Sequence, residues 1–381
     1  MAYSLKGIIT LGGLVIWAFL CLSEPRAAGQ SQTQPSSSLS RWRSQDYSGN
    51  RYVGSNSCAG CHRRIASGQS GTAMSHAMET AEGSEIIDNH QPLRFRDGPY
   101  THEVAREGNR SVYRVSDGAK TISEPILYGF GYGVAGQTYV FKHNGVFYES
   151  RVSFYRQLQN LDITMLHSRS APASLEEALG RPMTGEAAQG CFSCHATPAP
   201  GAASLTPDQL TPGVSCERCH GPGGNHIAAV KAGDKDPQIF NPAKLDSLDL
   251  TQEFCGQCHQ SFDTVMLMPK QGGVNNIRFQ PYRIFSSRGH LANDPRISCV
   301  ACHDPHDKMQ HVAGFYDSKC LACHLSSTTE AKTDRRAAPR CPVSSRECVT
   351  CHMPKVELPE MHFKFTDHWI RVVRPGDSVP R

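Results

Sequence analysis

Three kinds of hydrophobic patterning follow one another along the 381-residue chain. The first is an apolar run from Gly7 to Leu22, preceded by Lys6 and followed by Ser23-Glu24-Pro25-Arg26 and the small residues Ala27-Ala28. A charged start, an apolar middle and a small-residue end predict a secretory signal peptide over residues 1–28. The run falls short of the roughly 20 apolar residues of a bilayer span, so an uncleaved N-terminal anchor is the alternative. Residues 29–50, rich in Ser and Gln, predict a flexible linker.

The second pattern is strand-like and punctuated by turn pairs. Asp97-Gly98, Gly108-Asn109, Asp117-Gly118 and Asn144-Gly145 recur between Leu93 and about Phe154. Thr138-Tyr139-Val140-Phe141 and Val146-Phe147-Tyr148 flank Asn144-Gly145 with β-formers, which predicts a hairpin. An antiparallel meander of four to six strands follows. Gly129, Gly131, Gly133 and Gly136 interrupt it as loop residues and do not match a dinucleotide fingerprint.

The third pattern is short and helical. Ile65 to Met78 predicts a helix that stops before Gly83, and Ser174 to Leu179 predicts another that ends at Gly180. Thr184 is placed to cap the turn that delivers Cys191. Residues 325–347 read as a surface excursion.

Composition changes the picture, because aromatics reach only 8% while Gly 33 and Pro 24 are abundant and cysteines number 16. Such a chain draws part of its core from something other than side chains. Cys21 lies inside the signal peptide. Fourteen others form seven Cys-x-x-Cys pairs, each followed at once by His. They are Cys58-Cys61-His62, Cys191-Cys194-His195, Cys216-Cys219-His220, Cys255-Cys258-His259, Cys299-Cys302-His303, Cys320-Cys323-His324 and Cys348-Cys351-His352. Structural zinc and a disulfide framework give no reason for the His. Covalent haem c does: two thiols reach the vinyl groups on one porphyrin edge, and the adjacent His binds iron. Seven motifs predict seven haems. Each haem brings ionised propionates, so the formal charge of +4 turns negative in the mature holoprotein. No basic run with interleaved aromatics appears, which excludes nucleic acid as a partner.

Residues 63–190 carry no motif, and six motifs crowd into 191–352. The expected fold is therefore mainly short α-helices and loops packed around covalently bound haems, with a small antiparallel β insert between haem 1 and haem 2. The expected boundaries are a first haem segment at 51–84, the insert at 85–165 and a six-haem domain at 166–381.

The sixth iron ligand decides the chemistry: two protein ligands favour electron transfer, an open position allows substrate binding. Seven of the 18 histidines close motifs. Of the rest, His76, His167, His226, His290, His306, His362 and His368 are the distal candidates by position. His90, His102, His143 and His311 are expected to be structural or at the surface. Met74 and Met353 are the methionines near motifs, and packing is their expected role. Cys341 is left over as a free thiol, an intermolecular bridge or an iron ligand.

Several of these stretches resemble one known group. Cys58-Ala-Gly-Cys61-His62 followed by Thr72-Ala-Met-Ser-His76-Ala77 is similar to the cytochrome c-552/4-type multihaem family, of the cytochrome c-554 and hydroxylamine oxidoreductase superfamily. Gly213-Val-Ser-Cys216-Glu-Arg-Cys219-His220-Gly-Pro-Gly-Gly-Asn-His226, Phe254-Cys255-Gly-Gln-Cys258-His259 and Ser298-Cys299-Val-Ala-Cys302-His303-Asp-Pro-His306 extend the likeness. The ending Cys348-Val-Thr-Cys351-His352-Met-Pro-Lys355 with Phe365-Thr-Asp-His368 is similar to exported cytochromes of this group. The resemblance covers 54–76 and 190–370 and is poor over the β insert. It implies mostly bis-His haems passing electrons in the periplasm, with His76, His226 and His306 as distal ligands and His368 as a weaker carry-over. Pentahaem nitrite reductases of this class carry Cys-x-x-Cys-Lys at the catalytic haem, whereas all seven motifs here end in His. No tyrosine matches the cross-link of hydroxylamine oxidoreductases.

The expected function is that of an exported heptahaem electron carrier, working in the periplasm or tethered there. Its expected partners are a quinol-side donor and a terminal reductase or outer-membrane conduit. The alternative is an oxidoreductase acting on a small nitrogen or sulfur oxyanion at one open haem, with Arg151 or Arg156 shaping a pocket. A third reading makes the chain a subunit of a larger cytochrome assembly.

Overall fold

The computed structural model describes residues 49–90, 92–197, 210–268, 274–291, 294–324, 341–374 and 376–378. The expected signal peptide, nearly all of the Ser/Gln linker and most of the 325–347 excursion lie outside the described residues. No helix among the described residues is long and apolar enough to cross a membrane.

The β-formers between Leu93 and Ile163 build a meander. Strands β2 (Leu93–Asp97), β3 (Tyr100–Glu107), β4 (Arg110–Ser116), β5 (Thr121–Phe130), β6 (Gly136–His143), β7 (Val146–Tyr155) and β8 (Asn160–Ile163) pair antiparallel in that order. Three of the four turn pairs fall between consecutive strands, and Asp97-Gly98 straddles the end of β2. Asn144 and Gly145 adopt φ of 50° and 80°, the left-handed pair that a two-residue hairpin turn requires. Two further strands come from outside the meander. β1 (Met78–Thr80) pairs with the end of β5, and β9 (Gly180–Pro182) pairs with β7 from Tyr148 to Ser150. The β2 and β8 edges approach each other, so the nine-stranded sheet curls nearly closed.

The expected fold class is corrected by this sheet. The β region is not a small insert of four to six strands. It runs from Met78 to Pro182 and carries the largest hydrophobic core of the described chain. Tyr113, Tyr139, Phe141, Val152 and Phe154 are its buried centre. The physical reason is non-local pairing: three-residue strands have too little alternation to be read, yet they complete the ladder of a longer neighbour. β5 pairs with β4 before a bulge between Ile126 and Tyr128 and with β1 after it, and bulges bend strands in this way. The short helix Leu175–Leu179, capped by the Ser174 hydroxyl accepting from Glu177 N at 3.1 Å, turns the chain back to β9. There Gly180 has φ of 140°, and a Cβ would lie 2.1 Å from the Glu149 carbonyl oxygen. Only glycine fits.

The remaining described chain is short helices, turns and two small ribbons, Ala196–Thr197 with Thr211–Pro212 and Lys355–Leu358 with Phe363–Thr366. Every cysteine motif lies on or beside a short helix: Ser55–Ala59, Gly185–His195, Cys216–His220, Gly256–His259, Cys299–Cys302, Asp317–His324 and Cys348–His352. The second of these packs on the sheet. Phe192 on Gly185–His195 is fully buried against Tyr128 and Phe130 of β5, and its ring also meets Phe147 of β7.

Candidate haem sites

Helical turns give the motifs their chemistry. Residues i and i+3 share a helix face, so the two thiols of each motif are presented together, with the histidine one residue further along. None of the fifteen described cysteines is joined in a disulfide. Among the described residues no three His, Cys, Asp or Glu side chains converge as a side-chain metal site requires.

What converges instead is pairs of imidazoles. An imidazole nitrogen binds a transition metal at about 2.0–2.1 Å and sits about 1.1 Å from its ring centre, so two imidazoles on opposite faces of one iron hold centroids roughly 6 to 6.5 Å apart. His62 and His226 lie 6.3 Å apart, His220 and His306 6.0 Å, and His303 and His368 6.2 Å. Each pair joins a motif histidine to a histidine outside the motifs.

Tautomers support this geometry. A carbonyl oxygen only accepts, so a ring Nδ1 that meets one must carry the proton and leave its lone pair on Nε2. His195 Nδ1 donates to Ala77 O at 2.7 Å, His220 to Phe240 O at 2.9 Å and His352 to Arg371 O at 2.9 Å. His226 Nδ1 donates to Pro237 O at 2.6 Å and His368 Nδ1 to Thr366 O at 3.0 Å. Metal-binding histidines are held by this kind of outer contact. Burial favours the neutral ring at four of the paired or motif histidines: it pushes His368 down to about 4 and lowers His220, His259 and His303 below the ordinary histidine value. A neutral ring is what iron needs.

The other expected distal histidines stand differently. His76 Nε2 meets Ser70 O at 3.0 Å and its ring stacks on Tyr132 at 4.3 Å. His167 Nε2 is 3.0 Å from Glu149, and His362 Nε2 is 2.7 Å from Asp162. His290 packs on Phe285 with centroids 5.2 Å apart. Among the histidines expected to be structural, His90 has both ring nitrogens engaged, by Ile86 O and Gln159. His102 is buried in the sheet beside the Tyr113 hydroxyl, His143 meets Glu124, and His311 is exposed. Arg151 is buried in an ion pair with Asp97, and Arg156 donates to Gly133 O. The Cys341 thiol is drawn below its ordinary value by the Ser344 and Val343 N–H groups.

The motifs are also neighbours of one another. The thiols of Cys58 and Cys216, of Cys194 and Cys258, and of Cys255 and Cys299 lie close enough to perturb one another's ionisation. Cys219 packs in one apolar cluster with Cys255, while Cys320 senses Cys302 and Cys348 in the same way. Polar residues bind the motifs together. Glu217, buried inside the third motif, accepts from Val53 N, Gly54 N and Gly223 N, each at 2.8 Å. That carboxylate clamps the first motif's approach to the His226 loop. Asp317, at the start of the sixth motif's helix, accepts from Glu347 N and Cys348 N and so starts the seventh. Sequence reasoning missed both. The available signal was a charged residue inside or just before a motif expected to be covered by a porphyrin.

Paired thiols with a following imidazole, repeated on neighbouring helical turns and faced by second imidazoles, define the c-type cytochrome class. Residues 150–221 match the family described as Cytochrome c554 and c-prime. The chain is similar to multiheme cytochrome MtrA of Shewanella baltica, at 25% identity over 38% of this chain and 43% of that protein. It is also similar to dissimilatory sulfite reductase MccA of Wolinella succinogenes, at 25% identity over 40% of this chain and 24% of that protein. The chain thus spans less than half the length of either relative. A solved structure, outer cell wall cytochrome OcwA, aligns over 85% of this chain and 80% of that one, with a TM-score of 0.47 and 17% identity. The chain is a multihaem cytochrome c, the class in which haem is attached covalently.

Proposed function

We propose that the chain is an exported heptahaem cytochrome acting as an electron relay in the periplasm or at the cell surface, passing electrons between protein redox partners in respiration. Its fourteen motif cysteines hold the porphyrins, and His62, His195, His220, His259, His303, His324 and His352 are the proximal ligands. The observation that carries the reading is the set of three imidazole pairs at 6.0–6.3 Å. On this reading His226 serves the first motif's iron, His306 the third and His368 the fifth. His76, His167, His290 and His362 are the candidates for the four other irons. Three of them turn Nε2 toward oxygen in this chain, so ligation by them requires the ring to reorient on haem binding. Thiol adjacency gives the relay an order: first, third, fourth, fifth, sixth and seventh motif, with the second beside the fourth.

A second reading has one haem open and acting on a nitrogen or sulfur oxyanion. It is favoured by the sulfite reductase relative and by His195, whose ring contact among the described residues is Phe130 at 5.2 Å rather than an imidazole. Low-temperature EPR of the oxidised holoprotein, alongside its haem content, separates the two. Seven haems per chain with only low-spin signals indifferent to nitrite or sulfite are expected of the relay. A high-spin signal perturbed by either anion puts the oxidoreductase first, and fewer than seven haems removes the heptahaem assignment.

A further inference from the structure

The segment 366–371 is held by a buried ion pair that sequence patterning does not reveal. Arg283, on the helix Gln280–Phe285, forks onto Asp367: Nε donates to Oδ1 and Nη2 to Oδ2, each at 2.8 Å. Both side chains are at most 3% exposed. Asp367 also accepts from Trp369 N at 3.0 Å and from Arg371 Nη1 at 2.6 Å. Both guanidinium groups lie over the Trp369 ring, 5.2 and 5.1 Å from its centroid. Ser287, just beyond the same helix, donates to His368 O and accepts from Ile370 N.

This strap touches two haem sites at once. His368 faces His303 of the fifth motif, and three residues later the Arg371 carbonyl accepts from His352 Nδ1 in the seventh, while Arg371 N donates to His352 O. A buried carboxylate is retained at the cost of desolvation, and breaking such a pair by removing one partner is strongly destabilising. A single fork therefore fixes the strap between two histidines. We infer that Asp367 and Arg283 are a positioning pair that presents His368 to the fifth motif's iron and sets the outer contact of His352 at the seventh. Neither touches iron; both act through the strap. The inference rests on the assignment of His368 as a distal ligand.

The test uses holoprotein matured with haem, carrying Asp367→Asn, Arg283→Lys or His368→Ala. Readouts are haem content, low-temperature EPR and a spectroelectrochemical titration resolving the individual haems. With His368→Ala, one low-spin signal is expected to become high-spin; if it does not, the ligand assignment itself fails. With Asp367→Asn, full haem content is expected, together with movement of two haem components and no others: the one lost in His368→Ala and one more. Arg283→Lys keeps the charge but loses the planar fork, so the same two components are expected to move by a smaller amount. It also serves where Asp367→Asn does not accumulate. Spectra and potentials indistinguishable from the unmodified protein, or a uniform change across all haems, overturn the positioning role while leaving His368 as a ligand.

Discussion

Between Met78 and Pro182 the chain buries Tyr113, Tyr139, Phe141, Val152 and Phe154 in one cluster, whereas the cluster among the motif helices consists of Leu245, Leu250 and Phe254 with Cys219, Phe240 and Cys255 around it. The sheet has what a small domain needs: β-branched and aromatic side chains on one face, and each inner strand paired on both sides. Burying each such side chain is worth about 1.5–3 kcal/mol, so the sheet is held by its own residues. The motif region has helices of about one to three turns, too short to be stable alone, and its motif cysteines stand partly or fully exposed. Its buried groups are disproportionately polar: Glu217, Asp249, Gln252, Arg283, Asp367. The contrast is the one expected of a chain that divides its folding between a side-chain core and a cofactor core. Polar clamps hold the second in register for porphyrins to fill.

The largest effect that breaks this comparison is removal of haem. In cells lacking cytochrome c maturation, amide hydrogen exchange is expected to show protection across β3 to β8 and fast exchange in the motif helices. The helix Gly185–His195 is the expected exception, because Phe192 and Ala188 pack on the sheet. Uniform protection of the motif segments in the haem-free chain means that side chains suffice there, and the division fails.

How much of this was legible follows the same line. The motifs could be read because haem attachment fixes residue type at fixed spacing. The hairpins could be read because Asn144-Gly145 and its counterparts must reach positive φ. His226, His306 and His368 were candidates by position and by family resemblance, and the structure brings each within 6.3 Å of a motif histidine. β1 and β9 were not legible, since their pairing partners lie roughly 30 to 50 residues away in sequence and each strand has only three residues. Glu217, Asp317 and the Arg283–Asp367 fork were not legible either. A buried carboxylate is distinguished from a solvated one only by which backbone N–H groups the fold delivers to it.

A smaller effect sharpens the haem side. Glu217→Gln keeps the shape but turns an amide donor toward backbone N–H groups that need an acceptor. Hydrogen bonds to a charged group contribute about 1.5–3 kcal/mol each, and leaving a buried group unpaired costs about as much. A loss on the order of 3 kcal/mol is expected in thermal unfolding of the holoprotein. The EPR signal of the iron proposed to lie between His62 and His226 is expected to broaden or shift, because the carboxylate ties both approaches together. An unchanged melting temperature and spectrum means that haem alone sets this register.

The smallest effect probes the sheet and depends on pH. His102 is fully buried, its Nδ1 lies 2.8 Å from the Tyr113 hydroxyl, and its Nε2 has no hydrogen-bond partner among the described residues. Burial pushes its pKa from 6.5 down to about 4. The unfolded chain therefore binds a proton more readily than the folded one between these two values. The stability this ring allows is complete above about pH 6.5 and is lost as pH falls toward 4. From pH 7 to pH 5 the loss from this one group is on the order of 2 kcal/mol. Other histidines titrate over the same range, so the contribution of His102 appears as a difference between slopes. Exchange rates of β3 and β4 amides are expected to rise between pH 7 and pH 5, after correction for intrinsic chemistry, and to rise less in His102→Gln. Equal slopes in the two proteins mean that the ring is already protonated or solvated in the folded sheet. The sheet core is then less dry than its burial indicates, and the contrast with the haem region weakens accordingly.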